Sequence, residues 1–250
     1  FPTRRSSDLA SLLVGCSSGT ASSVPVSASS AAESTVSSVE ETASSAVDEN
    51  EAAAAQLLND LTGSYQELWP VILADEYKQT WLDDCTALVG EENAEAAFEK
   101  LSSMVTSDVY GEDAVEAYAN GGGAYFCGFT NSLATLTFDG ETSTISGTDK
   151  DGNVLFSHTY HYIGMEPVHG LYEFESDDAD SGEFTYFFLA PDTSAETYHI
   201  EFRYGSDADA LSQYDAGDYA YWVASGISTD CDQTMIDNCI ELFCTENLAG

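Results

Sequence analysis

Positive charge is what this sequence has least of. Six Lys and Arg stand against 44 Asp and Glu in 250 residues, a formal net charge of −38. Such a chain lacks the basic stripe that binding a nucleic acid requires, and anionic lipid surfaces repel it. Spread acidity of this kind reads first as solubilising charge and second as attraction for cations. No stretch is long and apolar enough to cross a bilayer. Catalytic signatures are missing too: there is no Gly-x-Ser-x-Gly, phosphate-binding loop, His-Glu-x-x-His or dinucleotide fingerprint. The glycine run Gly121–Gly123 leads into an expected strand rather than from a strand into a helix, which is wrong for cradling phosphate. No enzyme is expected.

Cysteine and histidine are scarce but informative. Beyond Cys16 there are Cys85, Cys127, Cys231, Cys239 and Cys244, an odd number that leaves at least one unpaired within the chain, with connectivity open. The last three lack the Cys-x-x-Cys spacing of a zinc knuckle. The histidines are His158, His161, His169 and His199.

Residues 1–8 read as a translated sequencing-library adapter and are set aside. Residues 9–16, "LASLLVGC", look like the end of a bacterial lipoprotein signal whose lipobox closes on Cys16, the expected lipidation site. Residues 17–55 are rich in Ser, Ala, Thr and acid and have no aromatic residue. Such a segment cannot bury enough apolar surface to offset its ordering entropy, so it reads as a tether. The expected address is extracytoplasmic, at the surface of a Gram-positive type of cell, with the lipid as the membrane link. Residues 56–250 are long enough for one domain with a sizeable core.

Within that domain, Ser64-x-x-Glu67 before Leu68 and Trp69 predicts a capping box, although Pro70 limits the helix. Helical patterns follow over 75–88 and through Ala94, Ala97, Phe98, Leu101, Met104 and Val105. From Gly121 the period changes to two. "AYFCGF", "LATLTF", "TSTISG", "NVLFSHTYHYIG", "HGLYEFES", "EFTYFFLA" and "ETYHIEFRYG" predict seven strands, with hairpin signals at Asp139-Gly140 and Asp151-Gly152. Sequential short strands predict an antiparallel sheet closed into a barrel, since closure removes exposed edges. Ser206 is expected to cap a short helix. A final helix presents Met235, Ile236, Cys239, Ile240 and Phe243. The acidic turn 175–183 partly imitates a calcium loop at Asp178, Asp180 and Gly182, but it lacks the twelfth-position glutamate and reads as a solvated hairpin.

The order of these pieces from about Gly63 to Phe243 resembles the ZinT family, including the ZinT-like domain of AdcA-type zinc-binding lipoproteins. "GSYQELWPVIL" looks like the family's opening helix and "FDGETSTISG" like its strand–turn–strand. The run 174–211 is similar to its acidic turn, strand, Ala-Pro turn, histidine strand and Gly-x-Asp. "DYAYWVASGIS" is similar to its aromatic closing segment. The resemblance implies a mainly β fold, a calycin (lipocalin-like) antiparallel barrel with flanking helices. It also implies a zinc site of three histidines, one before the Ala-Pro turn and a His-x-His pair after it. Here those positions carry Phe187, Thr197 and His199. Phenylalanine offers zinc no donor and threonine a poor one. The implied partners are a divalent metal ion, zinc above all, and components of a metal importer.

Two readings of His199 stay open. It joins His161 or His169 and a carboxylate such as Glu201 in a composite metal site, or it is hydrogen-bonded among Thr197, Glu201 and nearby tyrosines. If the polar face of its strand lines the barrel, Arg203 would hold an anion or a small polar ligand. A calycin-like module that has lost metal and binds a small ligand or a surface partner is the alternative function.

Overall fold

The computed structural model describes residues 49–190 and 199–249. The adapter-like residues, Cys16 with its lipobox, tether residues 17–48 and Thr197 lie outside the described residues. The segment expected as tether up to 55 instead carries helix α1, described over 49–60. Ala54, Leu57, Leu58 and Leu61 recur at helical spacing and are all buried. Gly140 is what lets α1 sit so close to the sheet: a Cβ there would meet the Asn59 Cα at 2.4 Å.

Eight antiparallel strands then close a barrel in chain order, the last pairing with the first. They are β1 (Gly63–Glu67), β2 (Thr135–Asp139), β3 (Thr144–Thr148), β4 (Val154–Met165), β5 (Tyr172–Ser176), β6 (Tyr186–Leu189), β7 (His199–Gly205) and β8 (Ala224–Ser228). Helices α2 (Leu68–Ile72), α3 (Lys78–Val89), α4 (Glu91–Met104) and α5 (Glu112–Ala119) lie between β1 and β2. The four-residue α6 (Ala208–Leu211) follows β7, and α7 (Gln233–Leu248) ends the order. The expected barrel class with flanking helices is the observed one. Among the described residues no helix is long and apolar enough to cross a membrane.

Strand alternation sorts the side chains into two cores. Tyr65, Phe138, Ile145, Phe156, Tyr160, Phe174, Phe187, Ile200, Phe202 and Tyr204 pack together in the first. The second lies between the helices and the outer side of β8, where Ile227 belongs to one cluster with Leu68, Trp81, Ile236, Ile240 and Phe243. Trp81 is wholly buried, and its indole N–H donates to the Ile72 carbonyl at 2.7 Å. Full burial of side chains such as Ile240 and Phe243 contributes about 1.5–3 kcal/mol each, which is what holds α7 to the barrel.

Four local expectations are corrected. Ser64 and Glu67 are not a capping box, because residues 63–67 form β1. Ser64 Oγ instead meets Thr137 Oγ1 at 2.8 Å, and Glu67 accepts the Phe129 N–H at 2.6 Å. "AYFCGF" is not a barrel strand: Phe126 makes isolated bridges to Thr106 and Trp222. The strand at 224–228 was not expected, since Ala224, Ser225 and Gly226 carry no β-branched signal. The cap of α6 is Asp207, whose carboxylate accepts from Ala210 N–H, while Ser206 Oγ donates to Glu183 at 3.3 Å.

Candidate functional site

β7 is the element on which the expected site rests, and its two faces meet different surroundings. Ile200, Phe202 and Tyr204 point into the aromatic core. His199 points the other way, its ring centroid 5.7 Å from that of Phe243 on α7. The polar face of β7 therefore lies outside the barrel, under helices and loops, and does not line a lumen.

The histidines expected as ligands, His161, His169 and His199, go to separate places. His161 is on the outer surface, with Nδ1 2.7 Å from Asp177 and Nε2 4.0 Å from Glu175. Its row crosses Glu175 and Tyr186 and reaches β7 at Gly205. That is three strands over and six residues along from His199, roughly 14 Å and 20 Å. His158 Nδ1 lies 2.8 Å from Asp178. The acidic turn is thus a hairpin, two of whose carboxylates are engaged by imidazoles.

His169 packs on Tyr214, ring centroids 3.9 Å apart, with Nδ1 3.7 Å from the buried Glu166. Glu166 also accepts the backbone N–H groups of Val168 and His169 at 2.9 and 2.6 Å. Burial lowers the His169 pKa, opposed by Glu166 and assisted by the positive Arg203. The sequence reading missed Glu166; a lone acid beside Pro167 carries no periodic signal.

Arg203 is wholly buried. Its guanidinium donates to the carbonyls of Leu211 and Tyr219 and, at 3.3 Å, to that of Gln213. It also lies 4.3 Å over the Tyr214 ring. Burial pulls its pKa down, while Tyr214, Tyr125 and Glu166 hold it up. These contacts fasten residues 211–219 to β7 and use the guanidinium's fork, so Arg203 is a structural cation and not a receptor for an anion.

Zinc needs several donors converging on one point. Among the described residues no three His, Cys, Asp or Glu do so. Phe187 fills the aromatic core, its ring 5.4 Å from those of Tyr160 and Tyr204, on the opposite side of the sheet from His199. Glu201 shares the outer face with His199, and its charge is felt by the buried thiols of Cys127 and Cys239, whose pKa values rise chiefly through burial. The described donor set therefore does not fit a three-histidine zinc site.

Between α2 and the segments 105–107 and 126–128 lies a cleft of about 320 Å³, lined by Trp69, Leu73, Val105, Phe126 and Cys127, with Glu67 among its polar groups. Gly128 keeps it open: a Cβ there would meet the Phe126 ring at 2.8 Å and the Glu67 carboxylate at 2.9 Å.

Burial lowers the His199 pKa from 6.5 to about 4. The unfolded chain then takes up a proton near pH 6.5 that the native chain refuses until near pH 4. The resulting stability is complete above pH 6.5 and is lost as pH falls toward 4. Denaturant melts of wild type and His199→Gln at pH 7 and 4.5 should show a loss larger in the wild type by about 2 kcal/mol. Equal losses in the two proteins would contradict an imidazole held neutral by its half-buried surroundings.

No family model matches this chain, and no curated protein matches it. Among solved structures it is similar to the Zn(II)-bound ZinT-like domain of Streptococcus pneumoniae AdcA, with 14% identity, TM-score 0.45, 72% of this chain and 87% of that one. It is also similar to Zn(II)-bound AdcA from the same organism, with 12% identity, TM-score 0.43, 73% of this chain and 34% of that one. The chain thus spans about a third of the length of AdcA, and at these identities no residue-by-residue correspondence follows.

Proposed function

We propose that this chain is a non-catalytic binding protein, held at the extracytoplasmic side of the membrane by a lipid on Cys16, whose barrel domain takes a small apolar ligand. The observation that carries this reading is the cleft beside α2: its volume is within the range of small-molecule sites, and apolar side chains dominate its walls. A formal net charge of −38 disfavours anionic ligands, so the occupant is neutral or cationic. Glu67, already accepting from Phe129, offers its remaining carboxylate capacity to a donor on the ligand.

A second reading is zinc or other divalent-metal binding with an altered site and an importer as partner. The resemblance of the run 174–211 to the ZinT family supports it. So does the burial that keeps the His199 imidazole neutral, the form in which imidazole binds metal.

One set of titrations separates the two. The neutral fluorophore N-phenyl-1-naphthylamine is titrated into wild type, Thr106→Trp, which plugs the cleft from its exposed rim, and His199→Ala. Saturable micromolar binding that Thr106→Trp weakens at least tenfold and His199→Ala leaves intact is the expected result. Non-saturable binding, or no response to Thr106→Trp, overturns the cleft. Calorimetric titration of chelator-treated protein with zinc, giving saturable heat that His199→Ala abolishes, would establish the second reading instead.

A further inference from the structure

We propose that Cys85 and Cys244 are a modification site, oxidised to a disulfide that clips α7 to α3. Cys85 lies in the middle of α3 and Cys244 near the end of α7, and both are wholly buried in the interface between these helices and the barrel. Their Sγ atoms are 3.8 Å apart, in van der Waals contact although 159 positions separate them in the chain. Sulfurs already in contact must close from 3.8 Å to a bond length of roughly 2.05 Å, and side-chain rotation is the softest coordinate for that movement. The other cysteines are placed differently. Cys127 and Cys239 are buried within range of the Glu201 charge, and Cys231 is half-buried ahead of α7.

The oxidant is a disulfide-bearing compound, either the oxidised form of a protein dithiol oxidase or oxidised glutathione. The thiolate of one cysteine attacks the oxidant's disulfide, forming a mixed disulfide and releasing one oxidant thiol. The second cysteine, losing its proton, displaces the second oxidant thiol and closes the Sγ–Sγ bond. Two protons and two electrons leave the protein, and one disulfide of the oxidant is reduced.

Burial dictates when this happens. In the folded chain both thiols are enclosed and burial raises their pKa values, so thiolate is scarce and no oxidant reaches them. Exchange therefore belongs to the stage before α7 docks. Once formed, the bond resists reductant as long as the fold holds. A bridge closing so long a loop restricts the unfolded chain strongly and should raise the thermal midpoint by about 10 °C over the reduced protein.

The test refolds the reduced full-length chain in a glutathione redox buffer and maps its peptides without reduction. The expected result is the Cys85 peptide joined to the Cys244 peptide, with a thiol titre in denaturant two below the six cysteines of the chain. Dithiothreitol should release the pair only when denaturant is added. Cys231→Ser should leave the linkage intact, whereas Cys85→Ala should leave Cys244 as a free thiol. Six free thiols after refolding, or a bridge joining any other two cysteines, overturns the proposal. The wild-type peptide map decides the matter even if Cys85→Ala does not fold.

Discussion

Arg203→Met should destabilise the domain by about 3–5 kcal/mol in denaturant melts, a large part of what a domain of this size possesses. The cause is geometric. One wholly buried guanidinium serves the carbonyls of Leu211, Gln213 and Tyr219 and covers Tyr214. Methionine fills the space but leaves three acceptors without that donor and Glu166 without its nearby positive charge. Arg203→Lys keeps the charge but not the fork, so it should recover only part of the loss, roughly half. A loss under 1 kcal/mol for Arg203→Met would show that the 211–219 segment is held by something else.

Phe187→His should cost about 3–4 kcal/mol and should not be rescued by zinc. Phe187 is wholly buried among Phe156, Tyr160, Phe202 and Tyr204. An imidazole there gives up apolar contact and brings polar nitrogens into a core whose hydroxyls are engaged: Tyr160 donates to the Phe184 carbonyl and Tyr204 to that of Thr130. His199, on the other face of β7, cannot join it as a ligand. The expected outcome is a lowered thermal midpoint that is the same with zinc and with chelator. A zinc-dependent recovery of several degrees would overturn the assignment of these residues to opposite faces. Phe187→Leu, which keeps the position apolar, should cost only about 1–2 kcal/mol.

Much of the barrel was legible because period-two alternation is a local property. Six of the seven expected strands lie on ladder strands, and both Asp-Gly signals fall at hairpins. The failures are equally local in origin. "GSYQE" mimics a helix cap because a capping box and a strand entering a helix share Ser-x-x-Glu; pairing with Thr137 and Ile227 decides for the strand. "ASGIS" carries no strand signal because its small residues answer to neighbours elsewhere in the chain: a Cβ on Gly226 would meet Ile200 at 3.1 Å. "AYFCGF" alternates well but sits outside the ladder, where its backbone bonds to Met104, Tyr221 and Val223 and bridges Thr106 and Trp222 without becoming a barrel strand.

The site was less legible than the fold. Alternation correctly placed His199, Glu201 and Arg203 on one face, but a strand pattern does not say which face turns inward. That depends on which set better fills a closed barrel, and Ile200, Phe202 and Tyr204 do so with other aromatics from across the sheet. Nor does a sequence say that His161, His169 and His199 lie apart, since their separation follows from register across four strands.

By itself, then, the sequence determined the secondary-structure grammar, the barrel class, the acidic charge and the poverty of ligating residues, because each follows from composition or from spacing within a few positions. Only the tertiary structure decided the rest. It turned the polar face of β7 outward, buried Arg203 as a clamp on backbone carbonyls, opened the cleft beside α2, and brought Cys85 against Cys244. Each of these joins residues far apart in the chain, and their meeting is set by packing two cores at once.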